Sequence, residues 1–483
     1  MKANIINENK NLLSHFLTIG TGTLINMVLS LITTPIITRL VDPNEYGQLS
    51  IFTMYTGIAV MVLCIGLDQA LVRYYYDKND NVYKIALLKL CFILPLLVSI
   101  ACSVIVIVLS VNRIIHFEFK PFVMVLLCTN VVANIWSRIA VLLLRTTYQS
   151  KKYALSNIIH KLTYVFLAIP LIIFVKMDNL ILLAIATVVS FAVQGFYAML
   201  ATKDLWRFKH VEYPDNSKEI IKYGLPFIFS MGLTTLFQAI DKISLNYYCT
   251  YYEVGVYSSA MTLVNVFAII QTTFNALWGP MQVEHYVCRP DDTSFIRRGN
   301  RYITIIMFFT GFSLILCKDV FALLLGDKYR LAAYILPFLI FNPIMYTISE
   351  TTCSGIGISK KSYLNIYISI GACIVNLVGN TLLVPKLGSQ GAAISTGISY
   401  IVFFALRTLF SNKYYYIDYA LNKFCILTII SLVYALYNTF FDFSIITIMG
   451  YISCVMILLL LYKKEIIEGI RTMKIQLLQI LKK

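Results

Sequence analysis

The chain of 483 residues is 59% hydrophobic and only 13% charged, with a formal net charge of +16 and a mean hydropathy of +0.76. Soluble globular domains carry about a quarter charged residues, so the composition excludes a soluble protein and leaves no room for a sizeable soluble domain. It describes a polytopic membrane protein.

In chain order, apolar stretches long enough to cross a bilayer, about 20 residues each, fall at about 14–38, 46–71, 85–110, 121–145, 153–175, 179–201, 222–247, 253–278, 302–325, 332–354, 362–384, 390–410, 423–440 and 443–462. The first is too long for the apolar core of a signal peptide, about 7–15 residues, and no small-x-small cleavage site follows it, so it reads as a retained helix. Glu45-x-Gly47 with Ser50 is echoed by Glu253-x-Gly255 with Ser258, and Ser150-Lys151-Lys152 by Ser359-Lys360-Lys361. Both echoes are displaced by about 208 to 209 residues, the mark of a tandem duplication. The expected fold is all-α, with about 14 transmembrane helices. It comprises an N-lobe over residues 1–205 (helices one to six), a C-lobe over 206–412 (helices seven to twelve), helices thirteen and fourteen over 413–462, and a basic amphipathic cytoplasmic tail over 463–483. Two equivalent halves in a membrane protein suggest a binding site between them.

An even number of helices puts both termini on one side. About 28 of the 40 lysines and arginines lie in the terminal segments and the turns on that side, against about 8 opposite, so both termini are expected in the cytoplasm. Because these residues are spread over many short turns, the positive charge reflects topology and argues against a nucleic-acid partner. The eleven cysteines contain no C-x-x-C and the five histidines no H-x-x-x-H, so neither a metal site nor a cofactor is expected. The longest connection, about 203–221, is short, and no GxxxxGK[ST] phosphate loop occurs, which weighs against a membrane enzyme or a nucleotide-driven machine.

A carrier remains, and its intramembrane polar residues are the candidate site. Ionisable groups cost about 2.5 to 3.5 kcal/mol each in a membrane span, so each needs a partner, water or a ligand. In span four, Asn130, Asn134 and Arg138 form one stripe at i, i+4 and i+8. In span five, Asn157, Lys161 and Tyr164 share a face, and Lys89 of span three is expected at similar depth. No acid is near these three cations in sequence, which points to an anionic ligand or a hydrated cavity. Snorkelling to the interface would equally satisfy Lys89 and Lys161. Span seven adds Gln238, Asp241 and Lys242, and span eight adds Asn275. Asp241, Glu350 and Asp68 are candidates for coupling transport to an ion gradient, with an ion pair to Arg73 the plainer expectation for Asp68.

The run Pro35-Ile36-Ile37-Thr38-Arg39-Leu40-Val41-Asp42-Pro43-Asn44-Glu45-Tyr46-Gly47, followed by Gly66-Leu67-Asp68 and Arg73-Tyr74, resembles the oligosaccharide flippases of bacterial polysaccharide export. These are the Wzx-type members of the multidrug/oligosaccharidyl-lipid/polysaccharide superfamily. The resemblance implies two lobes around a cavity that opens alternately inward and outward, turning over an undecaprenyl-diphosphate-linked oligosaccharide in the bacterial inner membrane. It further implies a cationic N-lobe site for the diphosphate, amides and tyrosines for sugar hydroxyls, and a site role for Arg39, for which interfacial anchoring is an equal reading. Membrane lipid, a polysaccharide polymerase and a chain-length regulator are the implied partners of an expected monomer. A drug or metabolite antiporter of the same fold and a membrane enzyme acting on lipid-linked sugars are the competing readings.

Overall fold

The computed structural model describes residues 25–468 apart from 27, 113–117, 210, 266, 290 and 360, together with 471, and over these it is helical with no strand. By internal packing the chain divides into two compact units, Met1–Ala239 and Ile240–Lys483.

The first unit begins with α1 (Val28–Leu40) and then a helix start written in the sequence. The Asp42 side chain accepts from the Asn44 N–H at 3.2 Å and the Glu45 carboxylate from the Asp42 N–H at 3.3 Å. Pro43 fills the first turn, where no N–H is needed, and α2 (Pro43–Leu63) follows. This span stops earlier than the expected 71. Ile65 and Gly66 both adopt positive φ (54° and 65°), and a Cβ at Gly66 would sit 2.1 Å from the Gly224 carbonyl oxygen. Only glycine fits that corner. Beyond it α3 (Leu67–Tyr74) is a separate short helix.

The unit continues with α4 (Asn81–Val111), α5 (Pro121–Thr146), α6 (Ser150–Phe174) and α7 (Asn179–Ala201). Asp80 and Asp178 cap α4 and α7. α7 packs against both α5 and α6, and α4 against α5. On α4, Leu97, Val104, Ile105 and Val111 are more than half exposed, an apolar face suited to lipid. The first turns of α8 (Ser217–Tyr248) also belong here: Ile220 is buried with Leu67, Leu71 and Leu87, and the Tyr74 hydroxyl donates to Glu219 at 3.2 Å.

The second unit holds α9 (Tyr251–Asn265), α10 (Ala268–Cys288), α11 (Ser294–Leu316), α12 (Lys318–Leu324), α13 (Ala332–Leu339), α14 (Phe341–Thr352), α15 (Ser354–Ile358), α16 (Leu364–Asn412), α17 (Leu421–Phe440) and α18 (Ile445–Leu461). α14 packs against α11 and α16, and α13 against α17. Lys318, which the sequence reading passes over, is fully buried. Its ammonium donates to the Asn438 carbonyl at 2.7 Å and the Phe441 carbonyl at 2.9 Å, placing positive charge on the negative end of α17.

Ten helices among the described residues are long and apolar enough to cross a membrane, or eleven if the pair Tyr251–Asn265 and Ile270–Cys288, bent by 44°, is one span. The fourteen expected exceed this count for identifiable reasons. α16 runs through 49 residues but is broken at Gly388, which holds φ 55° and ψ −134°, while α1 and α18 are shorter apolar helices. Residues 14–24 of the first expected span, Lys360 of the second Ser-Lys-Lys, and the tail from 472 onward lie outside the described residues.

Candidate functional site

In the first unit the stripe on α5 is met by partners from three helices. The Asn130 amide donates to the Thr56 hydroxyl of α2 at 3.1 Å. Ser137, beside Arg138, donates to Gln194 of α7 at 2.8 Å, and Gln194 donates in turn to Asn157 of α6 at 3.1 Å. A relay of amides thus joins the turn of α5 that carries Arg138 to a residue one turn from Lys161. α5 and α7 approach closely enough that a Cβ on Gly195 would lie 3.2 Å from Ser137 Cα.

Arg138 is not without an acid. Its Nε and Nη2 both donate to Asp68 Oδ2 of α3, at 3.0 and 2.6 Å, with the Asp68 side chain 4% exposed and that of Arg138 38% exposed. The expected partner of Asp68, Arg73, instead pairs with Asp77 at 2.6 Å. One helical turn brings Arg73 to Asp77, whereas Asp68 points inward to a residue seventy positions later. Lys89 donates to the Val211 carbonyl at 2.7 Å and lies 4.9 Å from the Tyr213 ring, so it tethers the loop after α7. Lys161 is half-buried, 5.7 Å from the Tyr164 ring, and among the described residues it forms no ion pair. Asn134 is half-buried, and Arg39 and Gln238 are exposed.

The second unit contains a caged carboxylate. Asp241 is 4% exposed and accepts four hydrogen bonds: from Tyr257 at 2.6 Å, Thr396 at 2.6 Å, Asn380 at 2.9 Å and Asn376 at 3.1 Å. The Asn380 amide also donates to Asn376 Oδ1 at 3.1 Å, and Asn380 Oδ1 is buried without a partner. No lysine or arginine among the described residues forms an ion pair with Asp241; Lys242, its neighbour, is half-buried and directed elsewhere around the helix. Glu350 is paired: Arg407 donates to it and to Ser349, each at 2.8 Å. Asn275 of α10 lines a cavity with this pair.

Tyr257, Asn376, Asn380, Thr396 and Arg407 are absent from the sequence candidates. Asn376 and Asn380, four apart in an apolar run, share a helical face as Asn130 and Asn134 do, and that spacing was the available signal. Chemically, the first unit offers a cation half open to its surroundings, with hydrogen-bonding amides nearby. The second offers a buried carboxylate enclosed by two hydroxyls and two side-chain amide N–H groups.

A family described as Polysaccharide biosynthesis protein matches residues 12–281. An uncharacterized membrane protein of Methanocaldococcus jannaschii, MJ1068, is 23% identical over 444 residues, covering 83% of this chain and 85% of that protein. The solved structure of the lipid II flippase MurJ in an inward closed conformation aligns with a TM-score of 0.69 at 16% identity, over 93% of this chain and all of that one. An inward-facing multidrug resistance MATE transporter of the MOP superfamily aligns with a TM-score of 0.60 at 15% identity, over 83% and 97%. The fold is therefore shared with these two structures, and with more than half of its length matched, the chain belongs to the Polysaccharide biosynthesis protein family.

Proposed function

We propose that this protein is a flippase that carries undecaprenyl-diphosphate-linked oligosaccharide repeat units from the cytoplasmic to the outer leaflet of a bacterial inner membrane, by alternating access, for surface polysaccharide synthesis. Both termini lie in the cytoplasm in this reading, which keeps the fourteen-span topology and its two repeated lobes. The observation that carries it is the half-exposed cationic set of the first unit, Arg138 and Lys161 with the Ser137–Gln194–Asn157 relay, in a chain of this family. A diphosphate is bound best by guanidinium and ammonium donors, and sugar hydroxyls by amides. Moving a polar headgroup through about 30 Å of hydrocarbon requires such groups along its path.

The energy source in this reading is an ion gradient acting on Asp241. A carboxylate with two hydroxyls and two side-chain amides beside it suits a hard cation once the amides present their carbonyl oxygens, so the four donors would have to turn away as that ion enters. The Asp68–Arg138 and Glu350–Arg407 pairs make those two acids poorer coupling sites, because each charge is already matched. Buried Asp68 is the one observation that favours an antiporter of the same fold. A deletion strain separates the two. Accumulation of undecaprenyl-linked repeat units with unchanged drug sensitivity is expected, and altered drug sensitivity with a normal lipid-linked pool would favour the antiporter.

A further inference from the structure

A cavity of about 200 Å³ lies wholly within the second unit, walled by α10, α14, α15 and α16. It is smaller than the roughly 300–1,000 Å³ of pockets that enclose drug-sized ligands. It fits one ring, not a chain of rings.

Its wall chemistry is specific. Glu350 and Arg407 meet there and cancel each other's charge, so nothing in the lining selects an anion or a cation. Near them three atoms are buried without a hydrogen-bond partner among the described residues: the donors Trp278 Nε1 and Arg407 Nε, and the acceptor Asn275 Oδ1. Trp278 is 6% exposed. Its ring is held between Phe274 at 5.3 Å and Phe295 at 5.4 Å, with interplanar angles of 17° and 8°. Both faces of the indole are thereby covered. Gln282 and Asn365 add amides that donate and accept.

We infer that this cavity receives one uncharged sugar ring of the transported glycan, an inference that rests on the flippase reading. A hydroxyl both donates and accepts, so a ring bearing several matches a lining of amides, Asn275, Gln282 and Asn365, around a neutral ion pair. A phosphate would meet a guanidinium already engaged by Glu350 and would face that carboxylate. An alkyl chain would cover these amides and the Glu350–Arg407 pair without hydrogen-bonding any of them, which is costly.

The test uses the full-length protein in inverted membrane vesicles. Native Cys353 lines the cavity, and Ser362→Cys adds a reporter at an exposed lining position. Vesicles from cells making the complete lipid-linked unit, vesicles without it, and the latter supplied with sugar-free undecaprenyl diphosphate are treated with methyl methanethiosulfonate. Labelling of the peptides holding residues 353 and 362 is then quantified by mass spectrometry. At least fivefold protection is expected with the complete unit and none with the sugar-free lipid, and Asn365→Ala should remove most of the protection. Equal labelling in all three samples, protection by the sugar-free lipid, or protection unchanged in Asn365→Ala would overturn the inference. The flippase reading is scored separately by the deletion strain: accumulation of lipid-linked units without protection removes the sugar subsite alone, and no accumulation removes the reading itself.

Discussion

Removing the Arg138 guanidinium strips Asp68 of a partner inside the protein, so Arg138→Ala disturbs stability and transport together. With Arg138 38% exposed, the stability loss should be about 1–3 kcal/mol, less than for a fully enclosed pair. Asp68→Asn combined with Arg138→Ala removes both charges and should recover most of that loss by thermal unfolding in detergent, while surface glycan remains absent. Normal glycan in the double variant would exclude Arg138 from headgroup binding. At Asp241 the expected behaviour is a ligand effect. Sodium should raise the unfolding temperature of the wild type by several degrees relative to choline, since a ligand at a hundredfold its Kd adds about 2.7 kcal/mol. Asp241→Asn should fold and lose that response. A wild type stabilised equally in both salts would show that sodium is not the coupling ion.

At the scale of helices, two devices set where spans end. Gly388 holds a backbone conformation that a side chain adopts only with strain, and its added Cβ would lie 3.0 Å from the Glu253 carboxylate. Gly388→Ala should therefore cost about 1–3 kcal/mol of stability, and an unchanged unfolding temperature would mean the break is not fixed there. Lys318→Met should leave the carbonyls of Asn438 and Phe441 without their buried donor and cost a comparable amount, measured in the same assay. Such features explain what was and was not legible. The α5 stripe was legible because helical period alone aligns it, while the cap at Asp42 and Glu45, which closes within three residues, was available in the sequence but not used. The partners of Asp241, 16, 135, 139 and 155 residues away, carry no local signal, nor does the pairing of Asp68 with Arg138. Apolar content registers no backbone turn inside a continuous apolar run, so the break at Ile65 and Gly66 was invisible to it and the second span ran on to 71, whereas the break at Gly388 falls in the gap expected between 384 and 390.

Across the whole molecule the two glutamates of the sequence echo make similar contacts. In the first unit Asn179, at the start of α7, donates its side-chain amide to Glu45 at 2.9 Å; in the second, the Ser389 N–H just past the α16 break donates to Glu253, also at 2.9 Å. The two echoing glutamates perform the same local task, tying the start of one helix to the start of another. The interiors differ: the first unit carries Arg138, paired on one side, and Lys161, and the second the caged Asp241 and the Glu350–Arg407 pair. Under the proposed function the diphosphate falls to the first unit, and the ion response and the sugar subsite to the second. The most direct measurement is transfer of a fluorescent undecaprenyl-diphosphate-linked oligosaccharide between leaflets of proteoliposomes, read by quenching with a membrane-impermeant reductant. Wild-type protein should expose the internal pool, faster under an imposed sodium gradient, and the Arg138→Ala, Asp68→Asn variant should not. Wild-type traces identical to those of protein-free vesicles would contradict the account.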